Sequence, residues 1–145
     1  MIDGSEHTGR VIEYALNFAE SGRPLEVILL AVVRKPADGR LRGYGSFKRD
    51  EVHARLKEAM QERAVGSAVR RFDQAQVAHK DRIEIGEPVD TILRVAREEG
   101  ADIILVGDGP AGAVRRWLPK AIGLALATTA GQVAEQAEVP VVVVK

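Results

Sequence analysis

GEPVDTILRVAREEGADIILVG, Gly86 to Gly107, contains one complete helix-then-strand unit. Pro88 suits a first helical position, because its missing N–H is an orphan there anyway and its fixed φ is already helical. Ile92, Leu93 and Ala96 gather on one side at helical spacing, and Gly100 stops the helix. ADIILVG (Ala101 to Gly107) follows as an unbroken apolar run of strand length. A run with no polar alternation predicts a strand buried on both faces, the environment of a parallel sheet.

The same grammar extends in both directions. Upstream, QVAHKDRIEIG (Gln76 to Gly86) is a weaker strand whose charged middle predicts an edge position. Before it, a long helix is predicted from Glu51 to Phe72. Val52, Leu56, Met60, Ala64, Ala68 and Phe72 step by four along its apolar side, and Gly66 is its weak point. Lys35 to Asp50 is Gly- and Arg-rich and reads as a loop. LEVILLAVV (Leu25 to Val33) is a second strand of the doubly buried kind. Ser5 can cap a helix through Ala19 whose apolar face is Val11, Ile12, Ala15, Leu16 and Ala19, with Ser21-Gly22 as its stop. Downstream of Gly107 come a Gly-rich loop, a helix ending near Glu138, and VPVVVVK as a final strand. Alternating strands and helices with short connections imply right-handed βαβ units and one parallel sheet with helices on both faces. Ligands of such sheets bind beyond the carboxyl ends of the strands. The candidate positions are therefore Asp3, the Val32–Arg34 exit and the loop after Gly107.

Composition narrows the function classes. The chain has 145 residues, enough for one domain with a real core, and residues 1–145 are read as a single domain. Lys+Arg and Asp+Glu are both 21, so the basic excess of a general nucleic-acid or anionic-membrane binder is absent. No apolar run approaches the roughly 20 residues of a membrane helix. The opening MIDGSEHTGR has no apolar core of the secretory kind. Zero cysteines exclude a disulfide scaffold, thiolate zinc and a cysteine nucleophile, in keeping with a reducing cytoplasm. His7, His53 and His79 are scattered, and no paired carboxylates or general base stand out. No catalysis and no metal site are expected.

These residues resemble the universal stress protein family over nearly the whole chain. IDGSEHTGRVIEYALNFA is similar to its opening, EVILLAVV to its second strand and PVVVVK to its last. Gly86–Gly107 carries its most recognisable block: a Gly-x-Pro turn, an amphipathic helix, then Ala-Asp and an apolar strand ending in Gly. The resemblance implies a Rossmann-like three-layer α/β sandwich with a parallel sheet of order 3-2-1-4-5. It also implies a cytoplasmic stress-response or regulatory module that forms a homodimer through the last strand, Val139–Lys145. ATP, with Mg²⁺, is the nucleotide that some members bind. A regulatory domain of a transporter or sensor, a binder of a partner protein and a weak ATPase are the alternatives.

Binders in the family carry G-x-x-G, nine residues, then G-[ST] after the fourth strand. Glycines let the backbone approach phosphates, and amides with a hydroxyl at a helix N-terminus donate to them. This sequence departs from that pattern. Gly107 matches the first glycine, but Pro110 stands at the second and has no N–H to donate. Reading from Gly109 and Gly112 recovers the pair, yet nine residues on lies Ile122-Gly123. Anchoring on the C-terminal strand places the final pair at Ala127-Thr128, with Thr128 supplying the hydroxyl. The longer loop then contains Arg115, Arg116, Trp117 and Lys120. Two readings stand: Arg115, Arg116 and Lys120 replace lost amides as a phosphate clamp, or nucleotide binding is gone and they form a solvated face. By the same resemblance Asp3 lies near the sugar and phosphates, Val32 meets adenine through its backbone, and Val106 precedes the phosphate loop.

One part of the pattern is short. The family's first strand is central, and here only Met1-Ile2 stand before Asp3, so that strand is mostly absent. The second and fourth strands would each face an unpaired side, at roughly 1–3 kcal/mol per buried unmatched group. The expectations are a truncated or internally numbered start, a piece of a longer protein, direct pairing of the second and fourth strands, or a strand lent by a partner.

Overall fold

The computed structural model describes residues 2, 6–22, 24–34, 46–108 and 128–145. In chain order the elements are α1 (Glu6–Ala19), β1 (Glu26–Val33), α2 (Ser46–Met60), one π-helical turn (Gln61–Val65), α3 (Gly66–Gln74), β2 (Ala78–Ile85), α4 (Pro88–Glu98), β3 (Ile104–Gly107), α5 (Thr129–Gln136) and β4 (Val141–Val144). β1 pairs β2 in parallel from Glu26↔Ala78 to Val33↔Ile85. β3 pairs β4 in parallel from Ile104↔Val141 to Gly107↔Val144.

Helices cover both faces, because successive strand side chains point to opposite sides. Val27 and Leu29 pack with Ile12 and Ala15 of α1 and with Ala64, Ala68 and Phe72. Ile28, Leu30 and Val32 pack instead with Ile92 and Val95 of α4 and Val133 of α5. Each such side chain, fully buried, stabilises the fold by about 1.5–3 kcal/mol. This is an α/β protein with parallel strands between two helical layers.

β1 and β3 do not pair directly among the described residues, and each belongs to its own two-stranded sheet. Of the described residues, Ile2 stands beside β1 as an isolated bridge. It bridges Ala31 in parallel and donates its N–H to the Leu30 carbonyl at 2.7 Å. The expected double burial holds only in part. β1 is buried only from Leu29 onward, and in β3 Ile104 and Val106 are buried while Leu105 is half-buried.

Several boundaries differ from the sequence reading. β3 starts at Ile104 rather than Ala101, because the preceding residues close α4. Gly100 (φ 61°) donates to the Arg97 carbonyl at 3.2 Å and Ala101 to the Ala96 carbonyl at 2.9 Å, a Schellman arrangement that uses up backbone a strand would need. The long helix begins at Ser46 rather than Glu51, since residues 46–50 contain no Gly or Pro to stop it. It is also interrupted: the Gly66 N–H reaches back five residues to the Gln61 carbonyl. The helix before β4 ends at Gln136, two residues short of Glu138.

Among the described residues β2 pairs with β1 only, in keeping with the edge position the sequence predicts. Its charged residues make a closed set of ion pairs with α4. Arg82 reaches Glu84 at 2.8 Å, Glu98 at 2.9 Å and Glu99 at 2.8 Å, and Arg94 joins Glu98 at 2.6 Å and Glu84 at 3.1 Å. Lys80 adds Glu26 at 3.1 Å.

Candidate nucleotide site

β1 and β2 run parallel, as do β3 and β4, and the amino ends of β1 (Leu25, Glu26) and β3 (Asp102, Ile103) line one cavity, so the carboxyl ends of all four strands lie toward the opposite rim. β1 arrives there with Val32 and Val33 buried and Arg34 exposed. β3 arrives with Val106 fully buried, then Gly107. The Asp108 N–H extends the ladder by donating to the Val144 carbonyl at 2.8 Å.

At Gly107 α1 approaches β3 tightly: a methyl group there would sit 3.0 Å from His7 Cβ and 3.5 Å from Val11 Cγ2, so a side chain requires α1 to give by a few tenths of an ångström. His7 is half-buried, and its Nδ1 is buried with no hydrogen-bond partner among the described residues. The first turn of α1 and the end of β3 thus meet at the rim.

α5 contributes its N-terminus. Thr128 is the N-cap, and its Oγ1 accepts the Gly131 N–H at 3.0 Å. That satisfies one of the orphan donors of the first turn and leaves those of Thr129 and Ala130 outside the intrahelical pattern. The hydroxyl proton of Thr128 remains available to an acceptor. These donors lie at the positive end of the helix dipole, which favours an anion.

Of the residues read as site residues, Val32, Val106, Gly107 and Thr128 are described, and all lie at the ends of elements that reach this rim. Val32 packs in one cluster with Ile104 of β3. Asp3, Gly109, Gly112, Arg115, Arg116 and Ala127 lie outside the described residues, as do Ser5, Pro110, Trp117 and Lys120. The sequence reading set His7 aside as one of three scattered histidines. The signal that would have placed it is its spacing: His7, Val11 and Ala15 step by four down the buried side of α1. Among the described residues no group of three or more His, Cys, Asp or Glu is placed to hold a metal ion. No helix among them is long and apolar enough to cross a membrane.

Parallel strands between two helical layers, with helix N-termini gathered at the carboxyl rim, define a Rossmann-like α/β protein. The sequence matches the Universal stress protein family over residues 1–145, and the chain belongs to that family. No curated protein matches it. Solved structures with the same fold include universal stress protein UspA from Lactobacillus plantarum, with 23% identity, 99% of this chain and 92% of that chain covered, and a TM-score of 0.69. A universal stress protein in complex with cAMP shares 18% identity, with 99% and 92% covered and a TM-score of 0.63. The universal stress protein from Archaeoglobus fulgidus in complex with dAMP shares 24% identity, with 97% and 90% covered and a TM-score of 0.55.

Proposed function

We propose that this chain is a stress-response binding module that takes an adenine nucleotide at the rim formed by β1, β3, α1 and α5, without turning it over. The observation that carries this reading is the junction at Gly107. A half-buried strand end without a side chain meets the first turn of α1 on the same rim as the N-cap of α5. The fit is chemical. Amides of α5 and the Thr128 hydroxyl suit phosphate oxygens, His7 Nδ1 suits a phosphate or sugar oxygen, and the apolar end of β1 at Val32 suits a flat base. The complexes of related proteins with cAMP and dAMP support the adenine nucleotide class. ATP, with Mg²⁺ carried on its phosphates, belongs to the same reading, with Asp3, Gly109, Gly112, Ala127 and the cations Arg115 and Arg116 completing the phosphate end. A homodimer through Val139–Lys145 is also part of it. On β4, Val143 is 36% exposed, an apolar residue on a strand with no outer neighbour among the described residues.

A thermal-shift panel of ATP, AMP and cyclic AMP, each with and without Mg²⁺, tests the reading. A hundredfold excess over Kd stabilises by about 2.7 kcal/mol, which raises Tm by about 5–10 °C for a chain of this size. Thr128→Val and Arg115→Ala/Arg116→Ala are expected to shrink that shift. If no nucleotide in the panel moves Tm at millimolar concentration, the nucleotide reading fails.

A further inference from the structure

We infer that the cleft between the closing turns of α4 and α5 is a second ligand site, which takes a free α-amino acid with a branched aliphatic side chain, leucine or a close relative. The cleft has a volume of about 270 Å³ and lies at the amino ends of β3 and β4, the far end of the strands from the rim. Pockets for drug-sized ligands begin at roughly 300 Å³, so what fits here is a small molecule.

Its floor is apolar. Ile104, at the start of β3, is buried beneath it. Leu93 and Ala96 of α4, with Ala137 and Val139 from the link between α5 and β4, are only half-buried around it. Half-exposed aliphatic groups around a concave floor favour a branched apolar group that removes them from water.

The mouth carries both signs of charge. Arg97 on the α4 bank and Glu138 on the α5 bank approach to 4.0 Å, the outer limit of an ion pair, and both side chains are largely exposed. Such a pair is held weakly, so a ligand parts it at little cost. A carboxylate suits the Arg97 guanidinium, whose fork takes two oxygens. An ammonium suits Glu138, and the helix ends add to its attraction. α4 and α5 both finish at the cleft, which puts the negative ends of two helix dipoles there. The Gln136 carbonyl would look to the residue four further on for a helical bond, but that residue is Pro140, which has no N–H to give. A molecule with carboxylate and ammonium on the carbon that bears its aliphatic side chain meets the floor and both banks together. A fatty acid leaves Glu138 and the helix ends unmet, and an alkylamine leaves Arg97 unmet.

The test is an NMR titration of the isotope-labelled whole chain with L-leucine and three truncated compounds: isocaproate without the ammonium, isoamylamine without the carboxylate, and glycine without the aliphatic group. Leucine is expected to saturate the shifts of Leu93, Ala96, Ala137 and Val139 with a Kd of about 1 mM or below, and each truncated compound to bind at least tenfold more weakly. Arg97→Gln should remove the preference for leucine over isoamylamine, and Glu138→Gln the preference over isocaproate. Both side chains are exposed, so these variants keep the fold, and their spectra report it. No saturation by leucine at about 10 mM, binding of any truncated compound as tight as leucine, or unchanged preferences in the two variants would overturn the inference. None of these ligands is a nucleotide, and the expected shifts lie at the opposite end of the strands from Gly107. The nucleotide panel and this titration are therefore decided separately.

Discussion

Gly107 shows how one missing methyl group shapes the rim. Its Cα allows α1 to close on β3, and the nearest atom an added Cβ would meet, His7 Cβ, belongs to the stiff root of a side chain on a packed helix. An alanine there makes that root give by a few tenths of an ångström. Gly107→Ala is therefore expected to lower unfolding free energy by about 1–3 kcal/mol, the usual cost of overpacking, as read from urea denaturation. It should also weaken nucleotide binding in titration calorimetry, since the displaced helix carries His7. Thr128 is a second single-residue case. Thr128→Ala loses the bond to the Gly131 N–H and is expected to cost about 1 kcal/mol, whereas Thr128→Ser keeps the cap and most of the stability. Both residues stand as candidate site residues on a family pattern that the sequence only partly keeps. His7 was not, because a histidine on a helix announces nothing until its neighbour across the interface is known.

Between β2 and α4 the decisive group is Arg82, which holds three carboxylates with one side chain that is 24% exposed. Removing it leaves Glu84, Glu98 and Glu99 close together with only Arg94 and Lys80 nearby. Arg82→Met is expected to destabilise by about 1–2 kcal/mol in low salt, more than an isolated surface pair would, because several charge-assisted bonds go at once. The gap between variant and parent should narrow in 1 M NaCl, where the Debye length falls to about 3 Å. An unchanged gap would mean that packing of the Arg82 stem, not charge, is what counts. At this scale the sequence spoke clearly. Continuous aliphatic runs marked β1, β3 and β4, a charged middle marked β2 as an edge, and Pro88 and Gly100 bracketed α4. Sequence periodicity failed to report that β3 loses its first three residues to the closing turn of α4, since that depends on hydrogen bonds rather than on apolarity.

For the molecule as a whole, acid sensitivity follows from the same carboxylates. Hydrogen bonds from Arg82, with Arg94 adding to them, hold Glu84 below the usual carboxylate range despite partial burial, and Arg94 and then Arg82 do the same for Glu98. A depressed native pKa means that the unfolded chain binds more protons near pH 4, so stability rises with pH there. The urea midpoint should hold from neutrality down to about pH 5 and decline as pH falls through the native values of these two groups. In Arg82→Met the decline should be shallower. A parent profile with no acid limb would refute the assignment. The layered fold was legible as a whole because helical and strand periodicities alternate without ambiguity. Periodicity did not foresee the form of the sheet, namely two separate strand pairs with Ile2 as the only isolated bridge among the described residues. Residues 109–127, where the sequence departs most from the family pattern, lie outside the described residues.

The π-helical turn explains a stripe that should have been impossible. Residues spaced by four drift about 40° per step around a regular helix, so from Val52 to Phe72 the row would wind about 200° and leave the core. The wide turn at Gln61–Val65 takes back roughly one residue of rotation, which is why Ala64, Val65, Ala68 and Phe72 are all buried. The chain is thus one amino acid longer at this point than an uninterrupted spiral would be. Excising the exposed Glu62 should let the two halves fuse into a regular rod with both apolar faces still turned inward, observable as a cooperative melt within a few degrees of the parent.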